Sequence, residues 1–133
     1  MAQQAAQRLV EAGQPGCIVN VSSILGQRTG TSQVSYGAAK AGMDHMTRVL
    51  ALELARNDIR VNGIAPGYFA TEMNADFFET EKGKDYIADR FVTKRLGLLQ
   101  ELDGALLLLA SDAGSFISGQ TLAIDGGHLA SAL

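Results

Sequence analysis

Two apolar runs separated by a long helical pattern constrain the fold of this chain more than any other feature of its sequence. The first run, Cys17–Val21, is rich in β-branched residues and predicts a buried parallel strand. The segment Ser35–Arg56 then predicts a long helix, and Arg60–Ala65 predicts a second strand. Pro66 and Gly67 end that strand, because proline lacks the donor needed to continue a central ladder. Alternating strands and helices of this kind predict an α/β fold with a parallel sheet.

The remaining segments supply the elements that flank the sheet. The predicted elements are a helix over Ala2–Ala12, short helices within Tyr68–Arg95, a helix over Glu101–Ala110 and a last strand over Thr121–Ile124. The segment 68–95 holds most of the aromatic residues and many of the charged ones, and its mixed composition indicates a mobile flap.

Two sets of residues in the long helix predict how it packs. A stripe at helical spacing is expected to fill the core, and it consists of Met43, Met46, Leu50 and Leu54. Small residues would let another backbone approach closely, and they are Gly37, Ala38, Ala41 and Gly42. In the later helix, the leucine run 106–109 is expected to cover the sheet.

Composition bounds the class of protein. With 133 residues, of which 47% are hydrophobic and 19% charged, the chain is expected to form one globular unit. Its net charge of −3 and its scattered Lys and Arg residues argue against a nucleic acid partner. There is no apolar run long enough for a membrane span, and the single cysteine, Cys17, cannot form an internal disulfide. With no internal disulfide, signal peptide or membrane span expected, we expect a cytoplasmic protein. His45 and His128 lack partners at metal-ligand spacing, so we expect no metal site.

Ser23, Tyr36 and Lys40 are the residues that predict a chemical activity. On the predicted helix, Tyr36 and Lys40 fall one turn apart on the same face. An ammonium group beside a phenol stabilises the phenolate, so Tyr36 would be able to exchange a proton with an alcohol or a carbonyl. The Ser23 hydroxyl would hold the same substrate oxygen. This predicts carbonyl reduction or alcohol oxidation, although Tyr-x-x-x-Lys by itself more often describes a half-buried tyrosine beside a solvated lysine.

Further motifs accompany this pair in a fixed order. They are Gly16–Gly26 around Ser23, the Tyr36 and Lys40 pair, Arg60–Gly67, Thr71 and Asp125–Gly127. In order and spacing they resemble the short-chain dehydrogenase/reductase family, and the resemblance runs from about Ala2 to the end of the chain. It implies a Rossmann-like, doubly wound sheet of seven strands, of which this chain would hold the last three, with ligands at the carboxyl ends of the strands.

The resemblance implies the catalytic, carboxyl-terminal half of such a fold. Residues 1–133 would form a single incomplete Rossmann-type domain, because the family's glycine-rich dinucleotide loop and its active-site asparagine would both precede Met1. The loop Gly26–Gly30 does not replace the missing one, since it lacks the Gly-x-Gly-x-x-Gly spacing at the start of a helix. Its glycines are interpreted as residues that permit tight turning.

The resemblance also implies the roles of individual residues. Tyr36 would be the general acid and base, with Ser23 and Lys40 as its catalytic partners and NAD or NADP as the cofactor. The residues expected to contact the cofactor are Tyr36, Lys40, Pro66, Gly67, Phe69 and Thr71. Thr71 is equally well interpreted as a helix cap.

Several other residues receive structural interpretations. Ser22 is expected to bond locally, Asn62 to satisfy backbone groups, and Asp125–Gly127 to form a turn after the last strand. Arg95–Leu99 lacks the proline with which family members often begin the following helix, which affects capping alone.

Two classes of function follow. The first is an NAD(P)-dependent oxidoreductase that acts on a small alcohol or carbonyl substrate, and the segments Phe77–Leu98 and Gly127–Leu129 resemble those of sugar or sugar-acid dehydrogenases. The second is a non-catalytic remnant that acts as an association module, because the dinucleotide loop is missing. In both cases we expect a homo-oligomer, since the first strand would expose unpaired backbone groups.

Overall fold

The computed structural model describes residues 1–131, apart from the side chain of Met73. Three strands form one parallel sheet in the order β1-β2-β3; they are β1 (Gly16–Val21), β2 (Ile59–Pro66) and β3 (Thr121–Ile124). The helices are α1 (Ala2–Glu11), α2 (Val34–Leu54), α3 (Glu72–Phe78), α4 (Glu81–Arg90) and α5 (Asp103–Ala110). The predicted α/β class and parallel sheet are confirmed, and each predicted strand and helix has a counterpart.

The central strand β2 is the most deeply buried element of the molecule. Val61, Asn62 and Ala65 have no exposed surface, as expected for a strand covered on both faces. The buried Asn62 amide donates from Nδ2 to the Ile117 carbonyl at 2.7 Å, and its Oδ1 accepts from the Gln120 N–H at 3.1 Å. The structural interpretation of Asn62 is therefore confirmed, because it satisfies the backbone of the segment that enters β3.

The face of α2 that packs on the sheet differs from the predicted stripe. The buried residues of the helix are Asp44, Thr47 and Ala51, whereas Met46 is 38% exposed. Thr47 faces β1 because its hydroxyl accepts a 2.9 Å hydrogen bond from Asn20 Nδ2. The expectation that Met46 fills the core was wrong, since this polar pair rotates a different face of the helix toward the sheet. Leu50 and Leu54 do pack against the core, beside Ala51, Ile59 and Val61.

The leucine run of α5 covers the sheet with part of its length. Leu109 is 1% exposed, whereas Leu107 is 67% exposed. Four consecutive residues of a helix span more than a full turn, so they cannot all face the same surface. The prediction that the whole run covers the sheet was wrong for Leu107 and Leu108 and right for Leu109.

Within residues 1–131, each outer strand of the sheet has one edge that no other strand pairs with. β1 pairs with β2 on one side, and within residues 1–131 no strand pairs with its other side. The expected row of free backbone groups along β1 is thus present in the described part of the chain. Large apolar side chains are exposed as well; they include Val34, Leu52, Leu107 and Phe116. Across the described residues, no helix has the length and apolar character needed to cross a bilayer.

Candidate functional site

Ser23 lies just beyond the carboxyl end of β1, where the chain turns. It is 8% exposed, and its Oγ accepts a 3.2 Å hydrogen bond from the Leu25 N–H, which caps the short 3₁₀ turn Ile24–Gly26. Its own hydroxyl proton remains able to donate. The local sequence thus folds so that the Ser23 hydroxyl is fixed in place at the edge of the sheet where ligands bind in open α/β folds.

Two glycines allow the turn after Ser23 to lie directly on helix α2. A Cβ on Gly26 would lie 2.8 Å from the carbonyl carbon of Lys40, and a Cβ on Gly37 would lie 3.1 Å from the Leu25 carbonyl oxygen. The prediction of a close backbone approach is confirmed at Gly37, and the approaching segment is the turn that follows Ser23. At Gly42 the prediction was wrong for the described chain, since no atom lies within 4 Å of a Cβ built there.

Tyr36 and Lys40 lie together on the first turns of α2. The Lys40 Nζ is 5.6 Å from the centroid of the Tyr36 ring, and it donates a 2.9 Å hydrogen bond to the Val21 carbonyl oxygen. Tyr36 is 45% exposed, so a substrate can reach its hydroxyl. Lys40 therefore joins the tyrosine to the end of β1, two residues before Ser23. Within the described residues, no hydrogen bond links the Ser23 hydroxyl directly to Tyr36.

Ser22 has a partner that the sequence did not suggest. Its Oγ donates a 3.2 Å hydrogen bond to the carbonyl oxygen of Lys40, eighteen residues later in the chain. The expectation of a local bond was therefore wrong. The bond helps to hold α2 over the end of β1, because Ser22 and Lys40 Nζ attach the same turn of the helix to neighbouring positions of the strand.

Pro66 and Gly67 end β2 at the same edge of the sheet as Ser23. The Gly67 N–H donates to the Ile124 carbonyl at 2.9 Å, and a Cβ on Gly67 would lie 2.8 Å from Asp125 Cα. Glycine is needed here because the two strand ends touch. The predicted turn after β3 is confirmed, with Gly126 at φ +61° and Gly127 at φ +86°.

Phe69 and Thr71 occupy the segment that leads from β2 to α3. Phe69 is 7% exposed, and its ring packs against Gly97, where a Cβ would lie 2.6 Å away. Its carbonyl accepts from Asn74 Nδ2 at 2.7 Å, and the Thr71 N–H donates to Asn74 Oδ1 at 3.1 Å. Thr71 lies at the N-cap position of α3, in agreement with the capping interpretation of this residue.

A cavity of about 870 Å³ opens beside the turn that follows Ser23. Ile24 and Leu25 form its margin on that side, and aromatic residues of the later segments, Tyr68, Tyr86 and Phe91, form part of its wall. Ser23, Tyr36 and Lys40 themselves are not among its lining residues. A second cavity of about 260 Å³ lies behind Tyr68, Phe91 and His128, which contribute to both.

The aromatic wall contains two titratable groups that stay neutral at neutral pH. Burial, together with the neighbouring phenol of Tyr86, raises the pKa of Tyr68 to about 12. Burial also lowers the pKa of His128, and the nearby Arg28 guanidinium lowers it further. Tyr68 and His128 can therefore supply hydrogen bonds and apolar contact to a ligand without carrying charge.

The side chains of Arg28, Tyr68 and Tyr86 line the larger cavity, although no sequence motif marks them as binding residues. They lie in segments without a recognisable motif, and Arg28 reaches a residue 100 positions away, since its Nη1 donates to the His128 carbonyl at 2.7 Å. The sequence signal for the contact between Arg28 and His128 was the presence of a basic residue in the glycine-bearing loop after Ser23.

The cofactor expectation can be compared with the shape of these strand ends. Lys40 uses one of its three N–H donors on Val21, which leaves two for a ribose hydroxyl. The closely packed ends of β1 and β2 suit the nicotinamide end of a dinucleotide. The pyrophosphate end has no comparable partner in the described residues, because Gly26 is already packed on Lys40 and ends a 3₁₀ turn rather than opening an α-helix.

Comparison with known proteins agrees with this arrangement. The family model described as Enoyl-(Acyl carrier protein) reductase matches residues 1–128. The chain is 40% identical over 130 residues to 2-dehydro-3-deoxy-D-gluconate 5-dehydrogenase of Escherichia coli (strain K12). The aligned region covers 98% of this chain and 51% of that protein. The chain thus spans about half the length of the curated relatives it matches.

Solved structures of dehydrogenases are also similar to this chain. A gluconate 5-dehydrogenase from Burkholderia cenocepacia, in complex with NADP and tartrate, superposes with a TM-score of 0.91 at 34% identity and covers 98% of this chain and 51% of that one. A 4-hydroxyisoleucine dehydrogenase complexed with NADH superposes with a TM-score of 0.93 at 31% identity, covering 98% of this chain and 54% of that one. With its parallel three-stranded sheet and a family match over nearly its whole length, the chain belongs to the short-chain dehydrogenase/reductase family.

Proposed function

We propose that this chain carries the catalytic half of a nicotinamide-dependent oxidoreductase that interconverts an alcohol and a carbonyl compound. The observation that carries the proposal is the position of Lys40, whose Nζ lies over the Tyr36 ring and is bonded to the end of β1 beside Ser23. The relatives in solved complexes are described with NADH or with NADP, so either dinucleotide is a candidate cofactor.

Each of the three residues has a distinct task in the proposed reaction. Ser23 donates a hydrogen bond to the substrate oxygen, and Tyr36 gives that oxygen a proton during reduction or removes it during oxidation. Lys40 stabilises the phenolate that Tyr36 becomes when it gives up its proton. The nicotinamide, when bound, supplies or accepts the hydride at the substrate carbon. Pro66, Gly67, Phe69 and Thr71 are proposed to contact its carboxamide end.

The proposed substrate is a small polyhydroxylated acid or its keto form. The support comes from the relatives, which are described as dehydrogenases of gluconate and of 2-dehydro-3-deoxy-D-gluconate. It also comes from the cavity beside Ser23, which is large enough for a six-carbon chain and offers hydroxyl donors from Tyr68 and Tyr86.

Titration of the purified chain with NADH and NADPH, followed by fluorescence, tests the cofactor. Binding with a Kd in the micromolar range supports the proposal, because that is the range of ordinary enzyme ligands. A folded chain that binds neither dinucleotide favours the alternative function, an association module without catalysis.

The Tyr36→Phe variant tests the chemistry. It removes the hydroxyl and keeps the ring under Lys40, so we expect turnover to fall by at least about a hundredfold. An unchanged circular dichroism spectrum is the control for folding. Turnover equal to that of the unmodified chain contradicts the assignment of Tyr36.

We also propose that the chain associates with copies of itself. The support is the unpaired edge of β1 together with exposed apolar side chains such as Leu52 at 82% and Leu107 at 67%. Sedimentation at several concentrations tests this, and a monomer at all of them contradicts it.

A further inference from the structure

The cavity beside Ser23 is positively charged, although the chain as a whole is negative. Its lining includes three cationic side chains, Arg28, Arg90 and Lys94, and one carboxylate, Asp89. Within residues 1–131 none of these four side chains takes part in a salt bridge. The cations are therefore not neutralised by the described part of the protein, and an anion that enters the cavity meets an attractive potential.

Arg28 is the cation that the structure holds in a fixed position. It is partly buried, and both of its Nη1 hydrogens have partners, the His128 carbonyl at 2.7 Å and the Ser131 hydroxyl at 3.2 Å. The Ser131 hydroxyl in turn donates to the same carbonyl at 2.7 Å. These bonds fix the guanidinium plane against the chain segment that follows β3.

The rest of the guanidinium forms a two-pronged donor. Arginine has five N–H groups, so Nη2 and Nε together keep three, and these have no acceptor among residues 1–131. The Nε and Nη2 edge matches the two oxygens of a carboxylate, which it binds through parallel hydrogen bonds. Since less conformational freedom remains to be lost, the fixed position of Arg28 favours binding.

The turn Asp125–Gly127 explains how Arg28 acquires its partner. Asp125 accepts hydrogen bonds from the Gly127 N–H at 2.9 Å and the Leu129 N–H at 2.7 Å, so its charge is used on its own turn. The turn presents the His128 carbonyl to Arg28 and places the His128 ring in the aromatic wall, 5.3 Å from the ring of Tyr68. Because the His128 ring is neutral, it does not compensate the positive charge of Arg28, which remains available to attract an anionic ligand.

We infer that Arg28 binds the carboxylate of the substrate, with Arg90 adding attraction at the cavity mouth, so that this site selects polyhydroxy acids over neutral polyols. The inference rests on the proposed function for the identity of the ligand as a substrate. Tyr68 and Tyr86 line the same cavity, and phenol groups can exchange hydrogen bonds with the hydroxyl groups of such an acid.

The test compares D-gluconate with D-glucitol, which has the same carbon chain and a hydroxymethyl group in place of the carboxylate. We expect calorimetric titration of the full chain to give binding of gluconate that is at least about tenfold tighter than that of glucitol, as one charge-assisted bidentate pair warrants. Equal affinity for the two compounds, or no gluconate binding at about 10 mM, overturns the inference.

Variants assign the effect to Arg28. Arg28→Gln should lose at least about tenfold in gluconate affinity, and Arg28→Lys should regain part of it, since lysine keeps the charge and lacks the fork. Arg90→Gln removes a cation that has no bond to the segment after β3, and should weaken gluconate binding severalfold. Arg8→Gln, on the distant helix α1, removes the same charge and should change nothing. If Arg28→Gln and Arg8→Gln bind gluconate alike, Arg28 is not the carboxylate ligand.

These measurements use no turnover, so their outcome is separate from that of the proposed function. Gluconate binding that depends on Arg28, in a chain that binds no dinucleotide, supports the carboxylate site and contradicts the catalytic proposal. The opposite result is turnover that depends on Tyr36, with equal rates for acids and neutral polyols and no effect of Arg28→Gln. It would support the catalytic proposal and contradict the carboxylate site.

Discussion

Gly26 lies against the backbone of Lys40 so closely that a Cβ would be 2.8 Å from the lysine carbonyl carbon and 2.9 Å from the Ala41 nitrogen. Backbone atoms cannot move away as the end of a flexible side chain can. This contact therefore fixes the turn that carries Ser23 relative to the helix that carries Tyr36 and Lys40. The geometry of the candidate site depends on the absence of one methyl group.

Gly26→Ala should consequently destabilise the chain by about 1–3 kcal/mol, because the added methyl forces the turn away from α2. Urea denaturation measures the change. The matched control is Gly42→Ala on α2, the helix that Gly26 contacts, because no atom lies within 4 Å of the new Cβ there. It should stabilise the helix by about 0.5–1 kcal/mol. Similar effects of the two substitutions would show that the contact at Gly26 is unimportant.

Asn62→Ala should be among the most damaging substitutions outside the candidate site. Asn62 is fully buried, and its loss leaves the Ile117 carbonyl and the Gln120 N–H without their partner. We expect a loss of about 2–3 kcal/mol in the free energy of unfolding, the usual cost of buried groups left unsatisfied. Gln100→Ala, at an exposed position, serves as the control and should lie within about 0.5 kcal/mol of the unmodified chain. A small effect at Asn62 would mean that water replaces the amide.

The pair Arg95 and Glu101 should make stability depend on pH in the acid range. The hydrogen bond from Arg95, with a further one from the Leu98 N–H, lowers the pKa of Glu101 from 4.5 to about 2. The folded state therefore favours the carboxylate, and the stabilisation is complete above pH 4.5 and is lost as the pH falls toward about 2. Glu101→Gln should lower the Tm at pH 7 and leave it nearly unchanged near pH 2.

The control for this pair is Glu53→Gln, an exposed carboxylate on α2. It should leave the Tm almost unchanged at both pH values. Because the side chains of Arg95 and Glu101 are 54% and 41% exposed, high salt should reduce the difference at pH 7 as well. A Tm difference that is the same at pH 7 and pH 2 would contradict the ionic origin of the effect.

The sequence by itself determined the strands and most helix ends of this protein. Cys17–Val21, Arg60–Ala65 and Thr121–Ile124 were recognisable because a buried strand is a short apolar run that glycine, proline or polar residues end. Tyr36 and Lys40 were placed together because residues four apart in a helix share a face. Each of these inferences uses neighbours in the chain.

The tertiary structure alone decided which groups meet across long separations. It turned Asp44 and Thr47 toward the sheet in place of Met46, gave Ser22 a partner on α2, and brought Arg28 to the carbonyl of His128. The physical reason is that such contacts depend on how the elements pack, so residues a hundred positions apart leave no local pattern that would predict their meeting.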